Sequence, residues 1–205
     1  MSCQGELELL SPLNRCPFCF SVVESGLKKP CDTCVKKERF CNYMGSSFEY
    51  MGVAKSLIKE FKYYDHPELA KSLSSFMLMQ FLELKWPLPD LITFVPSTLT
   101  RKLERGYNQS ELLAQEFGKL IAIDVKPLLK KTKSSLSQTY LSSRTRKELQ
   151  FDLFELRDKD NFADKVILLI DDVCTTGTTL QAAGSALTQG FPKKIYGLTF
   201  CHAGE

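Results

Sequence analysis

Apolar residues recur at helical spacing through Met51, Ala54, Leu57, Ile58 and Phe61, and again through Leu69, Leu73, Phe76, Met77, Phe81 and Leu84, which predicts two amphipathic helices in succession. The second has a legible start, with Asp65 at an N-cap position, Pro67 near the first helical residue and Glu68 three residues after the cap. Further on the period changes. Leu91 to Val95, entered from Pro87 and Pro89 and left at Pro96, reads as a short buried strand. Gln109 to Ile121 is amphipathic at helical spacing, and Val125 to Leu129 is a plausible strand. Phe151 to Leu156 alternates like a strand, Val166 to Ile170 is wholly apolar and reads as a central one, Thr178 to Gln189 returns to helix, and Lys194 to Phe200 forms a last strand. Residues 130–147 are polar, serine-rich and basic, the composition of a long functional or disordered loop.

Strands separated by helical segments imply an α/β fold, with a mostly parallel central sheet flanked by helices. In such sheets ligands bind beyond the carboxyl ends of the strands, so chemistry is sought in the loops there. Residues 1–45 break this pattern, being rich in cysteine and turns with little apolar periodicity; they are expected to form a small module ahead of one main domain over 46–205. The longest unbroken aliphatic run, Val166 to Ile170, is far too short to cross a membrane, and Met1 to Glu6 lack the basic-then-apolar pattern of a signal peptide. A soluble, intracellular protein is the expectation. The net charge of +3 neither demands nor excludes nucleic acid.

The most informative stretch is VILLIDDVCTTGTTL, Val166 to Leu180, in which an apolar strand ends in Asp171 and Asp172 and passes through Thr175, Thr176, Gly177, Thr178 and Thr179 into a helix. Backbone N–H groups at a helix start, joined by threonine hydroxyls, make an anion pocket suited to a monophosphate, and a glycine lets the backbone approach closely. Adjacent carboxylates accept hydrogen bonds only, which suits the vicinal hydroxyls of a ribose. A glycine-containing cap after a buried strand is ordinary in doubly wound folds, yet two aspartates and four threonines around one glycine have no packing purpose. An ATPase Walker B strand would need an upstream G-x-x-x-x-G-K-[ST] loop. The only Gly-Lys pair, Gly118 and Lys119, lies inside a helical pattern and is followed by Leu120.

This stretch resembles the phosphoribosyl-pyrophosphate loop of type I phosphoribosyltransferases. The resemblance implies that Asp171 and Asp172 are the catalytic acids binding the ribose hydroxyls, and that Thr175, Thr176, Gly177, Thr178 and Thr179 grip the 5-phosphate. The segment after the first strand stands where those proteins place a pyrophosphate loop, so Ser97, Arg101 and Arg105 are anion-binding candidates there; Lys102 is better read as solvated. Within it, Val95, Pro96 and Ser97, then Arg105, Gly106, Tyr107, Asn108 and Gln109, resemble the VP…RGFNQ segment of ComF proteins in particular. Gln138, Leu141, Arg146 and Phe154 follow the same family's order, with Leu149 where an asparagine is usual, and Lys62 with Tyr63 is similar to its LKY segment. In the loop between, Lys130, Lys131, Lys133, Arg144, Arg146 and Lys147 are either a solvated face or a positive rim that would attract a polyanion.

Six of the eight cysteines precede residue 42, and Cys16, Cys19, Cys31 and Cys34 form two C-x-x-C pairs eleven residues apart. Two such knuckles supply four thiolates to one Zn²⁺, a structural site because no ligand position is left for water. Cys3 or Cys41 is the alternative ligand in this segment. ComF proteins commonly carry a four-cysteine zinc site here. Cys174, inside the threonine loop, reads as a small filler, and His66 and His202 sit in no nucleophile–base arrangement.

Two functions follow from the resemblance. One is a ComF-type competence protein that binds phosphoribosyl pyrophosphate or a related ribose 5-phosphate ligand and handles incoming single-stranded DNA on the cytoplasmic side of the membrane, with a competence helicase or DNA-uptake channel as partner. Phe18, Phe20, Tyr43 and Tyr107 would offer stacking surfaces for single strands, although most of them read as core. The other is an active phosphoribosyltransferase using Mg²⁺ with phosphoribosyl pyrophosphate, its basic loop closing over the site. Only Cys201 to Glu205 follow the last strand, so a hood over an acceptor base would have to come from the helices between residues 48 and 86.

Overall fold

The computed structural model describes residues 7–23, 29–64, 66–97, 106–132, 153–157 and 162–204. Its elements are α1 (Asp32–Val35), β1 (Tyr43–Glu49), α2 (Gly52–Tyr63), α3 (Leu69–Leu84), β2 (Leu91–Phe94), α4 (Gln109–Ile121), β3 (Leu129–Lys131), β4 (Phe154–Leu156), β5 (Val166–Cys174), α5 (Thr178–Thr188) and β6 (Lys194–His202).

Four strands form one sheet in the order β1-β6-β5-β2, and every pair in it is parallel. The expected α/β architecture is therefore present. Alternate residues of the central strand serve opposite faces, as the pleat requires. Leu168 and Ile170 join the core beneath α2, α3 and α4, with Phe61, Leu73, Phe81 and Phe117. Ile167 and Leu169 face the other way, into a core shared with Leu180, Ala183 and Leu187 of α5. A strand covered on both faces reads as an unbroken apolar run, which is why Val166 to Ile170 was legible as central.

The expected helices are found with shifts of a residue or two at their ends, while the start of α3 departs from the expectation. Asp65 lies outside the described residues, and Glu68 occupies the N-cap position with no side-chain cap. The turn instead closes through backbone bonds from Leu69 N–H to the His66 carbonyl (3.2 Å) and from Ala70 N–H to the Pro67 carbonyl (3.0 Å). The expected strand from Val125 to Leu129 is reduced to a lone parallel bridge between Val125 and Ile92; regular pairing starts at Leu129, in a short antiparallel ladder with Phe154–Leu156.

Strand β1 has no counterpart among the expected elements. Its centre, Gly45, Ser46 and Ser47, is too polar to signal burial, yet Ser46 and Ser47 are almost wholly enclosed. Small residues are required because α3 presses close: a Cβ on Gly45 would lie 2.4 Å from Leu84 Cδ1 and 3.2 Å from the Trp86 ring. The Ser46 and Thr199 hydroxyls bond to each other across the β1–β6 pair, satisfying both.

The cysteine-rich segment packs on this edge strand. Leu10 N–H bonds to the Ser47 carbonyl (2.9 Å) and Met44 N–H to the Pro17 carbonyl (3.0 Å). Arg15 pairs with Glu49 and also bonds the Phe20 carbonyl at 2.9 Å. No described helix is long and apolar enough to cross a membrane.

Candidate functional site

Strand β5 does not stop at Ile170. It continues through Asp171 and Asp172 to Cys174, so the acid pair is held by the sheet itself, with Asp171 opposite Thr199 of β6. The chain then turns through Thr175 and Thr176, both exposed, to Gly177, which is buried with φ +72° and caps α5. No side chain caps that helix start, so the first-turn N–H groups, which have no intrahelical acceptor, face the turn. The Thr176 and Thr178 hydroxyls lie 2.8 Å apart, and Thr179 is exposed beside them. The turn thus gathers hydroxyls, helix N–H groups and a close-approaching glycine at the carboxyl end of the central strand, the chemistry that accepts a phosphate.

The two carboxylates differ. Asp171 is buried, and its Oδ1 accepts the Ser110 hydroxyl (2.7 Å) and the Asp172 N–H (2.9 Å). Burial, and then the neighbouring Asp172 charge, push its carboxyl up to about 7. Asp172 keeps 14% of its side-chain exposure and meets Lys62 Nζ of α2 at 2.9 Å.

The segment before and into α4 explains this arrangement residue by residue. Tyr107 donates its hydroxyl to the Phe61 carbonyl (2.7 Å), tying the last turn of α2. Asn108 Nδ2 donates to the Val95 carbonyl (3.1 Å), holding the end of β2, and Ser110 reaches Asp171. Three polar residues within four positions thereby fasten three separate elements around the acids. Lys62 and Ser110 were not among the expected site residues. Lys62 stands in a family-like segment, but its acid partner lies 110 positions away in sequence and has no local signal.

Ser97 is half-buried beyond the end of β2. Arg101, Lys102, Arg105, Lys133, Gln138, Leu141, Arg144, Arg146, Lys147, Leu149 and Cys3 lie outside the described residues. Lys130 sits on β3, 3.6 Å from Glu155, and Lys131 lies over the Phe154 ring at 5.8 Å. A cavity of about 250 Å³ opens elsewhere, lined by Pro12, Arg15, Phe20, Tyr43, Leu84 and Trp86. It is the apolar seam between the cysteine-rich segment and the sheet edge; with none of the acids or threonines in its lining, it is not the site of this chemistry.

The ligand atoms of Cys16, Cys19, Cys31 and Cys34 lie within 4.8 Å of one another, with Cys19 and Cys31 sulfurs 3.7 Å apart. A tetrahedral zinc with Zn–S bonds near 2.3 Å places its sulfurs roughly 3.8 Å apart, so the set fits. Two outer donors fit as well, the Cys31 N–H to Cys16 Sγ at 3.3 Å and Ser21 Oγ at 3.4 Å from Cys19 Sγ. Without a cation, burial and then the charges of Cys19 and Cys16 drive the Cys34 thiol far above its ordinary range. A dication bound there would supply the missing positive charge. The module reaches the site's rim: His202 Nε2 lies 3.3 Å from the Cys19 carbonyl, and Ala203 N–H bonds the Cys174 carbonyl at 2.7 Å.

A raised carboxyl makes a stability prediction. Asp171 is easier to protonate in the folded chain than in the unfolded one, so its favourable contribution is complete below about pH 4 and is lost as pH rises to about 7. A tenfold difference in proton affinity between the two states is worth about 1.4 kcal/mol, giving a loss on the order of a few kcal/mol. Asp171→Asn keeps the acceptor for Ser110 but cannot ionise. Denaturant melts between pH 4 and 8 should show a shallower fall for the variant; identical slopes would mean that Asp171 titrates normally.

The phosphoribosyl transferase domain family matches residues 104–205. Competence protein F of Haemophilus influenzae is 27% identical over 191 residues, covering 90% of this chain and 83% of that protein. DNA utilization protein YhgH of Salmonella typhi is 30% identical over 178 residues, 84% of this chain and 77% of its own. Competence protein ComFC of Bacillus subtilis is 25% identical over 195 residues, covering 92% and 77%.

Proposed function

This chain belongs to the family of competence protein F, ComFC and the DNA utilization proteins, and from that membership we propose that it binds a ribose 5-phosphate group in the turn after β5 and handles incoming single-stranded DNA during natural transformation. The observation that carries the proposal is the turn itself: Thr175, Thr176, Thr178 and Thr179 around a left-handed Gly177, directly after two acids on the central strand of a phosphoribosyl transferase domain. The ligand is phosphoribosyl pyrophosphate or a sugar carrying the same 5-phosphate. The threonine turn takes the 5-phosphate, and Asp172, the more accessible acid, takes a ribose hydroxyl.

Mg²⁺ would reach the site on the pyrophosphate of such a ligand. The protein's own carboxylates fit it poorly, because Asp171 Oδ1 is already the acceptor of two donors and Asp172 faces an ammonium. The zinc in the four-cysteine set is structural, as all four positions are thiolates. The proposed place of action is the cytoplasmic side of the membrane, with a competence helicase or the DNA-uptake channel as partner. The cations of the β3 strand and the segment after it supply phosphate contacts. The described pair of strands β3 and β4 packs on α5, the helix that starts at the threonine turn.

Calorimetric titration with phosphoribosyl pyrophosphate tests the pocket. Saturable binding that is lost in Thr176→Ala/Thr178→Ala supports the reading, and binding indifferent to both threonines sinks it. Pyrophosphate release across nucleobases, measured on the same samples, would move the protein to the transferases. For DNA, a mobility shift with a single-stranded oligonucleotide should weaken in the Lys130→Ala/Lys131→Ala/Lys133→Ala variant. Its salt slope should fall by about 2, near 0.7 for every phosphate that is no longer neutralised. An unchanged slope removes these lysines from the interface.

A further inference from the structure

Lys62 pairs with Asp172, the less buried of the two acids. It projects from the last turn of α2, a position at which a helix C-terminus favours positive charge. Its backbone is pinned: Phe61 is fully buried, and the Phe61 carbonyl takes the Tyr107 hydroxyl. The ammonium lies 2.9 Å from Asp172 Oδ2, with the two side chains only 18% and 14% exposed, so solvent screens the contact far less than at an open surface. A hard dication such as Mg²⁺ needs near-octahedral oxygen ligands at about 2.0–2.1 Å and usually takes them from one or two carboxylates. Here Asp171 Oδ1 is turned inward onto Ser110 and the Asp172 N–H, and Asp172 is charge-matched by Lys62.

We propose that Lys62 is the resident counter-ion of the acid pair, keeping divalent metal off Asp172 and allowing the site to hold a ribose 5-phosphate without one. The specificity-determining residue is thus a lysine supplied by α2, outside the 104–205 stretch that matches the phosphoribosyl transferase domain. The second half of this statement rests on the phosphosugar reading above; the first half does not. A pocket whose acids are already neutralised suits retention of a sugar monophosphate, whereas departure of pyrophosphate needs positive charge on the leaving group.

The test uses the full-length, zinc-loaded protein and separates the two halves. Mn²⁺ alone is titrated by electron paramagnetic resonance into the unaltered protein, Lys62→Met, Asp172→Asn and the double variant. Lys62→Met should gain one Mn²⁺ site, at least ~tenfold tighter than anything in the unaltered protein, and Asp172→Asn should erase it in the double variant. The proposal is overturned if the unaltered protein already binds Mn²⁺ in a manner that Asp172→Asn abolishes, an arm that needs no Lys62 variant. It is equally overturned if a folded Lys62→Met, or Lys62→Gln where methionine disturbs α2, gains no site.

Ribose 5-phosphate, which brings no pyrophosphate to carry a metal, is then titrated with and without Mg²⁺. The unaltered protein should change less than ~threefold, and Lys62→Met should become Mg²⁺-dependent by ~tenfold or more. A strong Mg²⁺ requirement in the unaltered protein overturns the second half. Failure of every sample to bind ribose 5-phosphate would instead sink the phosphosugar reading, leaving the Mn²⁺ result to decide Lys62.

Discussion

Stripping zinc from the four cysteines should shift the emission of Trp86 to the red and lower the thermal midpoint by on the order of 10 °C. Trp86 is the only tryptophan in the chain. It stacks on Tyr196 at 4.9 Å, Tyr196 stacks on Tyr43 at 5.9 Å, and Tyr43 on Phe18 of the first knuckle at 5.9 Å. Arg39 closes the column with its guanidinium 3.6 Å from the Phe18 ring. The knuckles have few apolar residues of their own, so a zinc bound by the four cysteines would be a main support of Phe18 and Phe20. Their release opens the Trp86 seam to water. Dialysis against a chelator with a metallochromic indicator should count one zinc per chain, and Cys34→Ser should reproduce both changes. An emission spectrum that does not move while one equivalent of metal departs would show that the column stands without the knuckles.

Gly177→Ala should weaken ribose 5-phosphate binding by about tenfold or more while costing only a few degrees of thermal midpoint. At φ +72° an alanine costs roughly 1–2 kcal/mol from its Cβ alone. That Cβ would also lie 2.8 Å from Met44 Cε, on a side chain that is itself buried. Met44 is flexible and can give way, which limits the damage to folding. The turn cannot keep its shape while it does so, and phosphate binding depends on N–H groups and hydroxyls placed to within a few tenths of an ångström. Undiminished affinity in a folded Gly177→Ala would show that this turn does not hold the phosphate.

Both experiments concern features that could be read from the chain, and they were readable for the same reason: the residues involved are close together in sequence. Two C-x-x-C pairs and the run from Asp171 to Thr179 are local patterns whose chemistry depends on spacing. The central strand was legible from its continuous apolar run, and α4 from its period, because burial on a regular element leaves a regular trace.

Strand β1 left none. Gly45 is small because Leu84 and Trp86, far along the chain, occupy the space beside it, and Ser46 is polar because Thr199 supplies its partner. The state of the acids was equally hidden. Sequence marked Asp171 and Asp172 as an equivalent pair; folding made one a buried acceptor of Ser110 and the other the ion-pair partner of Lys62. Composition and local order determined the fold class, the threonine turn and the clustered cysteines. Which charge faces which, and which backbone can tolerate a side chain, was decided only when α2, α3 and α4 closed over the sheet, because burial and ion pairing are properties of neighbours in space.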